Sequence, residues 1–272
     1  MEVIPQTGAL GAEIRGLDLS GHLTDVEVTQ INQAFLDHQV IFFRDQVISN
    51  KEYLRFVEYF GPPMEYVFDA GLPDYPFITP IVKTETSTES FGSYWHSDST
   101  YRDIPPKATF LYAREIPNRG GDTLFADMYA VYDHLSEGMK DMLDGLDAVY
   151  SAGLFDRKED TYEGMRGINE GMKAMSAVHP VIRTHDETGR KSLYVNETHT
   201  FGFDGMSRDE SLAILEYLYE HVKRPEFSFR LRWEKDTLTI WDNRCTQHYA
   251  LDDYPGKRRV MHRVIVGGSR PR

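Results

Sequence analysis

The chain has 272 residues, 40% hydrophobic and 12% aromatic; that is enough apolar material for a large core in one domain and too much for a disordered chain. Forty-three acidic residues against 30 basic ones give a net charge of -13, a field that repels phosphate backbones and anionic headgroups and argues against nucleic acid and membrane surfaces as partners. Cys245 is the single cysteine and cannot form an intrachain disulfide. Together with an N-terminal stretch, MEVIPQTGALGAEIRG, that lacks a basic and then apolar leader, and with no apolar run long enough to span a membrane, it leads us to expect a cytoplasmic protein.

Thr24 to Glu27 forms a capping box ahead of Val28, Ile31 and Phe35 at helical spacing, which predicts a first helix. The run Val40-Ile41-Phe42-Phe43 reads as a strand. Ser49 to Glu52 opens a second helix through Leu54, Val57 and Phe60, stopped near Gly61-Pro62-Pro63. Short strands are predicted over Phe77 to Val82, Ala108 to Ala113, Val178 to Thr184 and Ser192 to Val195. A third capping box, Ser207 to Glu210, opens a helix carrying Leu212, Leu215, Tyr219 and Val222. Phe227, Phe229, Leu231 and Trp233 alternate with Ser228, Arg230 and Arg232, the period of a half-buried strand. Thr237 to Asp242 and Arg259 to Val266 complete the set. Many short strands with few helices, and no repeat or linker, predict one mainly β domain over residues 1–272, a sandwich or jelly roll with helical inserts. The aperiodic stretch 152–177, rich in Gly, Met and charge, is expected to be a lid or insert.

The sharpest chemical feature is Tyr94-Trp95-His96-Ser97-Asp98, because side chains two apart on an extended segment point to one side. His96 and Asp98 can share one ion, and His248, just after the apolar strand that ends at Asp242, can supply a third ligand. Two imidazoles and a carboxylate leave three positions open, which suits Fe(II) binding O2 and a co-substrate. Zinc would usually prefer a tetrahedral site with one open position. In the last strand, alternation puts Arg259, Met261, Arg263 and Ile265 on one face, and Val260, His262 and Val264 on the other. If the arginine face is inward, each guanidinium needs an anion; if that face is solvated, both are surface charges.

In these motifs the sequence resembles the TauD/TfdA family, the taurine and 2,4-dichlorophenoxyacetate dioxygenases. The resemblance also runs through Gly8 to Ile14, Asn118 to Phe125, His179 to His185, Thr188 to Lys191, Tyr194 to Glu197, Trp241 to Arg244, His248 to Ala250 and Arg258 to Arg263. It implies a double-stranded β-helix, or jelly roll, with His96, Asp98 and His248 as Fe(II) ligands. Arg259 would pair with the distal carboxylate of the co-substrate 2-oxoglutarate, assisted by Thr123. Arg263 would hold the acidic group of the prime substrate. Tyr66 and Asp69 stand roughly where the taurine enzyme uses a histidine and a tyrosine. A carboxylate at Asp69 would disfavour a second negative charge and favour an amine, so taurine itself is not the expected substrate. His199 takes the place of an aromatic in the pocket wall.

The resemblance further implies oxidative decarboxylation of 2-oxoglutarate to succinate and CO2, coupled to hydroxylation of a small organic anion: a sulfonate, carboxylate, sulfate ester or phenoxy acid. If the hydroxylated carbon bears a heteroatom leaving group, the product collapses to a carbonyl. Dimers or tetramers are usual in the family, so a homo-oligomer is expected. Tyr94, Ser99, Tyr101 and Phe155 are expected to pack, His179 and His185 to make structural hydrogen bonds, and His262 to sit in a core or interface. Two other readings stand beside this one. A zinc-dependent hydrolase could use the same three residues, although no general base is evident, and a non-catalytic jelly roll could use the arginines to bind an anion.

Overall fold

Strands whose two faces are both apolar need cover on both sides, and the computed structural model supplies it with helices on one side and a second sheet on the other. The structure describes residues 1–88, 92–152, 171 and 174–272. The larger sheet runs in the order Glu2–Pro5, Ala12–Arg15, Val40–Phe43, Leu238–Asp242, Ala108–Glu115, Arg259–Val266 and Pro63–Met64, with Thr79–Lys83 also paired to Arg259–Val266. Only the pairing of Ala12–Arg15 with Val40–Phe43 is parallel among these. The smaller sheet is Ser228–Leu231, Thr123–Asp127 and Thr246–Ala250, antiparallel throughout. The architecture is the expected mainly β jelly roll.

The helices Asp25–His38 and Asn50–Glu58 lie on the outer face of the larger sheet. Both begin with the capping boxes read from the sequence, at Thr24 and Ser49. Ser207 opens Arg208–Val222 in the same way. Under the first two helices, Phe35, Phe56, Phe60 and Phe110 meet edge to face at 5.2–6.2 Å between centroids, a geometry that aromatic quadrupoles favour. On the inner face, Phe42, Leu111, Trp241 and Met261 pack against Phe125, Phe229 and Leu231 of the smaller sheet. Phe227, Phe229, Leu231 and Trp233 are buried, whereas Arg230 and Arg232 are exposed.

Boundaries shift where local geometry intervenes. The predicted strand Val178 to Thr184 is two strands, Ser176–Pro180 and Ile182–Thr184, divided at Val181. The regular part of the Phe227 to Trp233 run is Ser228–Leu231, because Pro225–Phe227 forms a 3-10 turn. Thr123–Asp127 and Thr246–Ala250 carry no strong apolar period, and their pairing partners make them strands. Most of the expected lid, 152–177, lies outside the described residues, as does Phe155, and its last two residues belong to the strand Ser176–Pro180. No helix among the described residues is long and apolar enough to cross a membrane.

Candidate active site

The extended segment at Trp95 to Asp98 and the strand Thr246–Ala250 are joined by one antiparallel bridge. His96 N donates to His248 O at 3.1 Å, and His248 N donates to His96 O at 2.8 Å. Opposed residues of an antiparallel pair project their side chains to the same face, so the two imidazoles come together with ring centroids 4.1 Å apart. Asp98, two residues on, brings Oδ1 to 3.8 Å from His96 Nε2. One ligand atom from each of the three lies within 4.8 Å of the others, and all three residues are buried. That separation and donor set fit one divalent ion bound by two nitrogens and one oxygen.

Protonation matches the same reading. His96 Nδ1 lies 2.7 Å from Tyr94 O, so it carries the proton and leaves the Nε2 lone pair free. Burial, and then His96, push the His248 imidazole down to about 3. Burial also lowers His96. For Asp98 burial acts upward, but His248, His96 and Arg263, with the Thr109 hydroxyl, hold it below the usual carboxylate range. Two neutral imidazoles and a carboxylate are the forms that bind metal.

The three candidate ligands share a cavity of about 40 Å³ with Thr123, Arg259 and Arg263, walled by Leu111 and Trp241. Arg259 and Arg263 are 7% and 3% exposed, so the solvated alternative for the last strand is overturned. Their strand pairs with both Thr79–Lys83 and Ala108–Glu115, and its arginine face looks into the sandwich. Arg259 lies 5.7 Å from the Trp233 ring centroid, and Trp233 Nε1 donates to Thr123 Oγ1 at 2.9 Å. Gly121, at φ +73°, leaves room beside the Arg259 stem: a Cβ there would meet Tyr254 at 3.1 Å and Arg259 Cδ at 3.3 Å.

The Arg263 guanidinium lies 3.8 Å from the Tyr66 ring centroid. From Tyr66 an aromatic row runs through Phe68, Tyr101 and His199 to His96, with centroid steps of 5.6, 5.6, 5.0 and 6.3 Å. The structure thus joins Tyr66 and His199 to the centre. Asp69 is buried beside them and acts electrostatically on the Tyr66 phenol. Phe68 and Tyr101 in this row went unassigned or were assigned to packing in the sequence, since nothing in their spacing marks them.

A second cluster, His185, Asp242 and Cys245, also has donor atoms within 4.8 Å, but its carboxylate is occupied. Arg244 donates from Nε to Asp242 Oδ1 at 2.8 Å and from Nη2 to Oδ2 at 2.7 Å, and His185 Nε2 lies 3.0 Å from Oδ2. Burial pushes the Cys245 thiol up, away from the thiolate a metal needs. This is a hydrogen-bonded clasp behind the strand that precedes His248. His179 likewise contacts the backbone oxygens of Thr100 and Arg102, at 3.0 and 2.9 Å.

Three histidines give a pH prediction. His199 and His248 are pushed down to about 3 and His262 to about 4, in each case chiefly by burial, from an ordinary 6.5. Unfolding therefore takes up protons below the ordinary value, so stability is intact above about pH 6.5 and is lost as pH falls toward 3. The denaturant midpoint of chelator-treated protein is expected to drop steadily from pH 6.5 to 4, with a shallower slope in His262→Asn. A midpoint flat over that range contradicts this.

Comparisons with known proteins point one way. The family model "Taurine catabolism dioxygenase TauD, TfdA family" matches residues 2–265. An "Alkylsulfatase" of Acinetobacter baylyi is 35% identical, over 97% of this chain and 84% of its own. The "Alpha-ketoglutarate-dependent sulfate ester dioxygenase" of Pseudomonas putida is 32% identical, over 100% of this chain and 91% of its own. Among solved structures, AAD-2 in complex with Mn(II) and N-oxalylglycine superposes with a TM-score of 0.83 at 29% identity, covering 99% of this chain and 98% of that one.

Proposed function

Because the chain belongs to the TauD/TfdA family, we propose that it is an Fe(II)- and 2-oxoglutarate-dependent dioxygenase that oxidises a small organic anion, with sulfate esters as the leading substrate class. The observation that carries this is the burial of His96, Asp98 and His248 in one cavity with two arginines. Two relatives named for sulfate-ester chemistry support the substrate class. N-oxalylglycine, bound by AAD-2, keeps the 2-oxo acid and distal carboxylate of 2-oxoglutarate with NH in place of one CH2.

Fe(II) held by the three ligands supplies the coupling of 2-oxoglutarate oxidation, to succinate and CO2, with insertion of one O2 oxygen atom into a substrate C–H bond. The chain does the rest. His96 is held by the Tyr94 carbonyl with Nε2 forward. Arg259 and Thr123 take the distal carboxylate, and Arg263, backed by Tyr66, takes the substrate anion and fixes which C–H bond is presented. Leu111 and Trp241 give the cavity an apolar wall. For an alkyl sulfate, hydroxylation of the carbon bearing oxygen gives a hemiacetal sulfate, which breaks its C–O bond to release an aldehyde and hydrogen sulfate. A reducing compartment accords with the one buried cysteine, and a homo-oligomer follows from the family resemblance alone.

Anaerobic protein mixed with Fe(II) and 2-oxoglutarate is expected to show a weak visible charge-transfer band, and alkyl sulfates to stimulate succinate release in air. Zinc hydrolysis and simple anion binding both predict behaviour indifferent to O2. Sulfate release that persists without O2 or 2-oxoglutarate sinks the proposal.

A further inference from the structure

Asp98 sits at the end of a hydrogen-bond chain whose donor directions are fixed. Trp241 Nε1 lies 3.0 Å from Asn243 Oδ1, and Asp98 N lies 3.3 Å from the same atom. An indole N–H and a peptide N–H only donate, so the atom between them is the amide oxygen of Asn243. The other end of that amide is then NH2, and it donates to Thr109 Oγ1 at 2.8 Å. The Thr109 hydroxyl, already an acceptor there, turns its own proton to Asp98 Oδ2 at 2.6 Å.

Burial removes water as a substitute. Thr109, Asn243 and Trp241 are 0%, 1% and 2% exposed, and Asp98 is 7%. Sheet register sets the chain as well, since Thr109 stands directly opposite Trp241 in adjacent strands. One carboxylate oxygen is thereby capped by a charge-assisted bond, and the other, Oδ1, is the one beside His96 Nε2.

We propose that Thr109, oriented by Asn243 and Trp241, is a positioning residue that holds Asp98 as a one-oxygen metal ligand. With Oδ2 held by the Thr109 hydroxyl, turning the carboxylate to chelate through both oxygens would cost that bond. A metal held through one Asp98 oxygen would keep three coordination positions for a two-point 2-oxo acid and O2. Without the hydroxyl, Oδ2 is a buried acceptor with one bond fewer, and the carboxylate gains the freedom to take a further position on the metal. This inference rests on the metal-centre reading above.

The full chain, stripped with chelator and titrated with Co(II), separates the two. Thr109→Val keeps the shape and removes the proton donor; Thr109→Ser restores it. Asn243→Asp, when ionised, still accepts from Trp241 and Asp98 N but cannot donate to Thr109, so it frees that hydroxyl to turn away. We expect Thr109→Val and Asn243→Asp to weaken Co(II) binding about 10–100-fold and to shift its visible ligand-field band. Thr109→Ser is expected to bind as the unmodified chain does. Near-UV circular dichroism of the metal-free proteins checks folding; if Thr109→Val does not fold, Asn243→Asp against Thr109→Ser decides. Unmodified affinity and band in whichever of Thr109→Val and Asn243→Asp fold, or an equal loss in Thr109→Ser, overturns the positioning role. An unmodified chain that takes up no Co(II) overturns the metal centre itself.

Discussion

His248→Ala is expected to lose at least about 1000-fold in 2-oxoglutarate-dependent succinate release, some 4 kcal/mol of barrier. Its imidazole is one of three candidate metal ligands in the cavity among the described residues, and the other described side chains that line it are cationic, hydroxylic or apolar and offer no neutral nitrogen in its place. The loss is expected to be chemical, not structural. The bridge to His96 is made by backbone atoms, which alanine retains, and truncation relieves a buried histidine whose Nδ1 has no hydrogen-bond partner among the described residues. The variant should therefore melt close to the unmodified protein in the metal-free state, while the charge-transfer band with Fe(II) and 2-oxoglutarate disappears. Retained succinate release at even a tenth of the original rate would mean that the three residues do not form the centre.

The arginines should dissociate by substrate. Arg263→Met is expected to lower kcat/KM for the organic anion by roughly 30- to 5000-fold, the 2–5 kcal/mol of a severed buried charge pair, with little change in KM for 2-oxoglutarate. Arg259→Met should do the reverse and raise KM for 2-oxoglutarate over the same range. The two sit four residues apart on one face of one strand, about 13 Å between Cα atoms at strand rise, so they need not compete for one carboxylate. Steady-state kinetics with each substrate varied in turn reads the outcome. If both variants fall equally for both substrates, the assignment of one anion to each guanidinium fails.

Much of this was legible in one dimension because its physics is local. A capping box needs only residues three apart, and Thr24, Ser49 and Ser207 each cap the helix their spacing predicts. Alternation at Arg259 to Val266 gives the strand to the residue, because a period of two says which side chains share a face. It does not say which face is inside. That choice came from the helices Asp25–His38 and Asn50–Glu58, whose apolar sides cover Val264 and Val266 and so turn Arg259 and Arg263 into the sandwich. The strands Thr123–Asp127 and Thr246–Ala250 were not readable for the same reason: partners far away in sequence make them strands.

By itself, then, the sequence determined a mainly β chain of one family, the His96–Asp98 pair and the two arginines, since spacing on an extended backbone decides which side chains point together. Only the tertiary structure decided that His248 faces His96 across a two-bond bridge. It also decided that Tyr66 lies on Arg263, and that Thr109 and Asn243, 11 and 145 residues from Asp98, close around its carboxylate. Those contacts are set by sheet order and register, and the free energy that fixes them belongs to the packed core as a whole.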